Sequence, residues 1–160
     1  MDAAWLSTRA RSSSRAARSP GTAFLLITSA QSEPIDEAIW FRRTLDEIGL
    51  PFAGVVVNRV HHDILGREEP DELVAELALE LGLGEDLAAR IAQNLHDYHV
   101  LARRDERNIE RLRIELGDSP LLLVPHLDDD VHDVDGLLRV HRYLFASERE
   151  RERLIDEVVA

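Results

Sequence analysis

An asparagine closes the apolar run FAGVVVN at position 58, and Arg59, Val60, His61, His62 and Asp63 follow it. The amide of Asn58 carries a donor and an acceptor side by side, the pattern that can read a purine edge. The same residue type closes turns by bonding nearby backbone, so position 58 leaves both roles open. Imidazoles and carboxylates gather in two stretches: His61, His62 and Asp63, and then His126, Asp128, His132, Asp133 and Asp135. Such donors suit zinc, manganese or iron. Against a metal site, adjacent histidines point in different directions, and no H-E-x-x-H or cysteine framework occurs. An acidic loop before a helix is explained by capping and by the helix dipole. His96 and His99, three apart, read as partly exposed residues of one helix face.

These residues depend on the elements that carry them. TAFLLIT, residues 22–28, is a short apolar run between Pro20-Gly21 and Ser29, and fits a strand buried on both faces. Ser32 is placed to cap a helix whose first turn holds Glu33, Pro34, Asp36 and Glu37. Ile35, Ala38, Phe41, Leu45 and Ile48 recur at helical spacing, and Gly49 supplies a left-handed stop. FAGVVVN, residues 52–58, is the second strand. A strand, a helix of this length and a strand make a right-handed parallel crossover. PDELVAELALELG predicts another helix, and residues 85–116 a long one whose stripe weakens between Val100 and Asp105, leaving room for a break. PLLLVP, residues 120–125, is a third strand with proline at each end. HLDDDVHD then leads into a last helix through Val134, Leu137, Leu138, His141, Leu144 and Phe145.

The order β-α-β-α-α-β-α predicts an α/β fold: an incomplete parallel sheet of about three strands with helices on both faces. Three such strands want further neighbours, so the sequence reads as the C-terminal part of a larger doubly wound domain. Ligands of such sheets sit beyond the carboxyl ends of the strands. Here those ends lead into Ser29–Ser32, Asn58–Asp63 and Pro125–Asp128.

Composition removes several chemistries. All 19 basic residues are Arg, and there is no Lys and no Cys. Schiff bases, a Ser–Lys pair, a phosphate-loop lysine and disulfide or thiolate sites are therefore excluded for these 160 residues. No G-x-S-x-G, G-x-G-x-x-G or G-x-x-x-x-G-K-[ST] occurs. The net charge of −12 argues against bare nucleic acid or an anionic membrane as partner. No apolar run reaches the roughly 18 residues of a membrane span, and a cytoplasmic location is expected. Residues 1–20 hold four Arg, five Ser and one acid, for a net +3, leaving −15 on residues 21–160. The expected organisation is a disordered Arg/Ser-rich tail over 1–20, a domain over 21–146, and a charged helical extension over 147–160.

Four segments, in this order and spacing, resemble the arsenite-pump ATPase (ArsA) family of anion-transporting ATPases, relatives of the ATPase that targets tail-anchored proteins. They are TAFLLITSAQSEPIDEA, VVVNRV, ARRDERNIERLRIELG and PLLLVPHLDDDVHDVDGL, and together they span about residues 22–146. The resemblance implies the C-terminal part of a P-loop NTPase-like three-layer domain that binds and hydrolyses ATP with magnesium, usually as a dimer. It implies that Asn58 contacts the adenine and that Pro125, His126 and Leu127 close over the base. Glu-Val-Arg-Gly, common after the Pro-led loop, is replaced here by Asp130-Val131-His132-Asp133. The family's phosphate-binding loop, lysine, switch regions and magnesium-binding Asp belong before the matched segments, and the zinc-binding cysteine pair of some relatives is absent. The expectation is thus a non-hydrolysing fragment that needs an N-terminal half or pairs as a homodimer. A non-catalytic protein-interaction module is the alternative, with a His/Asp metal-binding hydrolase behind it.

Overall fold

The structure is a computed structural model that describes residues 19, 21–65, 70–127, 130–147, 149–151 and 153–154. Most of the 1–20 segment, Asp128 and much of the 147–160 extension lie outside the described residues. Seven elements follow in order: β1 (Phe24–Ser29), α1 (Ser32–Glu47), β2 (Phe52–Val60), α2 (Pro70–Leu81), α3 (Glu85–Leu116), β3 (Leu121–Pro125) and α4 (Val134–Phe145). The three strands form one all-parallel open sheet in the order β1-β2-β3. The α/β class and the element order match the sequence-based expectation.

Side-chain alternation along β2 sets the two layers. Val55 and Val57 face α1 and α3, where Ile35, Ala38, Ile109, Leu112 and Leu116 complete a buried cluster. Val56 faces the other way, with Leu122 and Val124 of β3, and meets Tyr143 and Leu144 of α4. Helices therefore lie on both faces. α2 packs on α3 rather than on the sheet.

Two expectations at the helices need correction. Gln31, not Ser32, is the cap of α1, and it makes no side-chain cap bond. Ser32 is the first helical residue, and its hydroxyl lies 3.3 Å from the Asn108 amide instead. The room left for a break at 100–105 is also unused, because α3 runs unbroken through it. Ala102, Asp105, Ile109, Leu112 and Leu116 form one buried stripe at three- and four-residue spacing. The apolar pattern weakens there because a carboxylate, Asp105, occupies one of the core positions.

Gly49 ends α1 with φ 67°, as its type predicts. Gly54 has a different reason to be glycine. Its φ is 142°, and a Cβ there would lie 2.6 Å from the Pro120 carbonyl oxygen. The close approach lets the Val55 N–H donate to that oxygen at 2.9 Å, opening the β2–β3 ladder.

Candidate functional site

The carboxyl end of β2 does not run straight. Val57 pairs with Leu123 and Val60 with Pro125, so β2 carries one residue more than β3 across this interval. That is a β-bulge, and Arg59 takes it up in a left-handed conformation, φ 59°. The extra residue reverses the side-chain alternation. Val60 therefore joins the α1/α3 core, while Asn58 stays exposed on the α4 side. The His126 N–H donates to the Val60 carbonyl at 2.9 Å and fixes the start of the Pro-led loop beside the bulge.

Between β2, β3 and α4 lies an open groove of about 610 Å³, lined by Asn58, Arg59, Pro125, Leu127, Val131 and Leu137, among others. Three of the four residues singled out from the sequence, Asn58, Pro125 and Leu127, thus share one wall system. Pro125 is buried, Leu127 half-buried and Asn58 exposed. Asn58 Oδ1 accepts the Arg59 N–H at 3.0 Å, which is the turn-closing role. One of its two carbonyl lone pairs remains, together with the amide donors, so the purine-reading role survives alongside. Arg59 reaches toward Asp130 at 3.7 Å across the mouth. The groove can therefore take a flat, mostly apolar ring and offer it one amide.

His126 does not belong to that groove. It is exposed and stacks on His61, with ring centroids 5.0 Å apart and planes at 20°. His61 leads to a second cluster on the α3 side. Asp105 is 1% exposed, and its Oδ2 accepts the His61 backbone N–H at 3.0 Å and lies 2.8 Å from His61 Nδ1. The Arg104 guanidinium donates to Oδ1 at 2.7 and 3.0 Å. Tyr98 meets the His61 ring edge-on. Asp63 lies 3.3 Å from His99 Nδ1 and accepts the Leu65 N–H at 3.1 Å. His62 is held neutral: burial pushes its pKa below the ordinary imidazole value, against the Asp105 charge and helped by His61. Its Nε2 is buried with no hydrogen-bond partner among the described residues.

Of the histidines near the bulge, His61 and His99 thus pair with carboxylates and His126 with the His61 ring. Among the described residues, no three His, Asp or Glu side chains converge as a metal-binding set. Of the second stretch, His132 bonds the Asp130 carbonyl at 2.7 Å, and Asp133 caps α4 by accepting the Gly136 N–H at 2.7 Å. The first strand-end loop is likewise spent on structure. Buried Asn108 donates to the Ala30 carbonyl at 2.9 Å, tying that loop to α3. Asp105 and Asn108 escaped the sequence reading; the available signal was two polar residues within the buried stripe of a long helix.

Compared with known proteins, the sequence matches no protein-family model and no curated protein. No helix among the described residues is long and apolar enough to cross a membrane.

Proposed function

We propose that this chain carries the adenine-side portion of a nucleotide-binding domain similar to the ArsA ATPases, and that it does not hydrolyse ATP by itself. One observation carries the reading: Asn58, Pro125 and Leu127 line one groove at the carboxyl ends of two adjacent parallel strands. That is where open parallel sheets take their ligands. A purine enters between the apolar walls and meets the Asn58 amide. His126 has no part in this contact.

The residues fit the base and not the tail. Phosphoryl transfer rests on backbone N–H groups, a lysine and magnesium placed around a polyanion. The sequence has no lysine and no glycine-rich phosphate loop. Arg59, at the groove, faces the Asp130 carboxylate. Magnesium would enter with the phosphates, through residues of a complementary segment. A cytoplasmic setting goes with this reading.

Calorimetry with adenosine and with ATP tests it. Both should bind weakly and about equally, with a Kd on the order of 1 mM. Asn58→Ala should weaken both by about tenfold, the effect of losing roughly one good hydrogen bond. No phosphate should be released from ATP. ATP binding far tighter than adenosine binding, or an Asn58→Ala protein that binds adenosine normally, refutes the proposal. The alternative, a protein-interaction module, is favoured by the bare apolar side chains Leu25, Ile27, Leu137 and Leu138.

A further inference from the structure

We infer that the pocket between α3, the carboxyl end of β2 and the face of β3 binds an organic monocarboxylate with a small apolar body, held through Arg107 and His62. The pocket has a volume of about 540 Å³ and is lined by Val60, His62, Ala102, Arg107, Ile109 and Leu123, among others. That volume is typical of small-molecule sites. α3 lies over β2 and leaves Leu123 of β3 half-buried, which opens the pocket along its flank. Among the described residues β3 pairs only with β2. Pro120 stands before β3 and Pro125 at its end, and proline within sheets belongs to edge strands. Further strands therefore join beside β1, away from this pocket. The Asn58 groove is on the opposite face of the sheet, so the pocket stands whether or not a nucleotide binds there.

The polar groups left over at the pocket are donors. Each lining carboxylate already has a basic partner: Asp63 lies 3.3 Å from His99, Glu106 2.8 Å from Arg103 and Glu110 2.8 Å from Arg113. Arg107 differs. Its Nε donates to the Arg103 carbonyl at 3.1 Å, and its two terminal nitrogens meet no acceptor among the described residues. His62 is half-buried, and its Nε2 is shielded from solvent and bonds nothing among the described residues. A polar atom left in that state is costly until a partner reaches it. A carboxylate serves both groups. Its two oxygens match the guanidinium fork, and the His62 ring, loosely held about its last torsion, turns Nε2 toward it. A dianion is disfavoured, because one guanidinium is uncommitted and three carboxylates stand around it. Val60, Ala102, Ile109 and Leu123 offer only apolar surface to the rest of the ligand. The chain's net charge of −12 repels any anion, so selectivity for one must come from these local donors.

Binding is coupled to a proton. In the free protein burial holds His62 neutral. The charged and titratable groups around it are Asp105, Glu106, Arg107, Glu110 and Arg113 on α3, and His61 and Asp63 in its own loop. β3 contributes uncharged Leu123, and His126 beyond it stacks on His61. Asp105 already spends its oxygens on His61 and Arg104. An incoming carboxylate is therefore a new negative charge beside His62. It favours the imidazolium, raises its pKa and draws in a proton. Affinity rises as pH falls from 8 to 6, while an ordinary carboxylic acid, with a pKa of about 4, stays ionised throughout.

Titration of the full chain with phenylacetate, followed by amide NMR shifts, tests this. Phenylacetate should bind with a Kd on the order of 1 mM. The shifts should move at residues 60–63 and 102–113 and stay still at 131–137. Phenylacetamide, the same body without the charge, should bind roughly tenfold more weakly, and so should acetate, the same charge without the body. Arg107→Gln should weaken phenylacetate binding by about tenfold, with an unchanged circular dichroism spectrum, since Arg107 is exposed. From pH 8 to pH 6 the affinity should rise by roughly fivefold, and His62→Gln should flatten that slope. No binding at millimolar phenylacetate overturns the assignment. So do phenylacetamide or acetate binding as tightly as phenylacetate, shifts confined to 131–137, full affinity in Arg107→Gln, or a pH slope that His62→Gln leaves intact.

Discussion

Among the described residues, Val55 and Val57 enter a cluster of nine buried residues beneath α1 and α3, whereas Val56, between them, meets only Val124 and Tyr143 as buried partners beneath α4. The α1/α3 layer has two helices for three strands, and α3 bonds inward through Asp105 and Asn108. On the other face α4 lies over β3 and β2 with Leu154 packed beside it, and Leu25 and Ile27 of β1 stay exposed among the described residues. Stability and the groove's ligand chemistry are divided between the two layers. The finished layer holds the strands in place. The unfinished layer contains the groove, because a ligand needs a gap that side chains have not filled.

That division can be broken by substitution. Leu112 is fully buried in the finished layer, and Leu112→Ala should cost about 3 to 4 kcal/mol in urea unfolding. Asp105→Ala strands the His61 ring and N–H and the Arg104 guanidinium, and should cost about 3 kcal/mol. If Asp105→Ala is neutral, α3 is held by apolar packing alone and the contrast loses its polar half. Gly54→Ala drives a Cβ against the Pro120 carbonyl and should cost about 2 kcal/mol.

A smaller effect comes from His62. Its pKa is lowered in the folded chain, chiefly by burial. Between that lowered value and the ordinary one near 6.5, the unfolded chain takes up a proton that the folded chain refuses. Stability should therefore be full above about pH 6.5 and fall as pH drops through it. Thermal melts at pH 8 and pH 5.5 should show the drop, and His62→Phe should reduce it. The smallest effect belongs to the unfinished layer. Leu138 on α4 is more than half exposed, and Leu138→Ala should shift unfolding by no more than about 0.5 kcal/mol. A large effect there would mean that the α4 face is covered in solution.

Periodicity was enough to locate all seven elements, because a strand or helix buried on one side must repeat its apolar residues at the period of its backbone. It placed Asn58 and Pro125 at strand ends for the same reason. It misread Asp105, since a carboxylate in a core stripe looks like a break until its partners, 44 residues away at His61, are brought beside it. Nor does periodicity show where the His126 ring lies, which is decided by a stack on His61 and not by its neighbours in sequence.

Local pattern determined what each segment is, through interactions between residues a few positions apart. Only the folded chain decided the bulge at Asn58 and Arg59, and with it which side of the sheet receives the amide. Register between two strands is a relation between distant residues, and one inserted position reverses the face of every side chain beyond it.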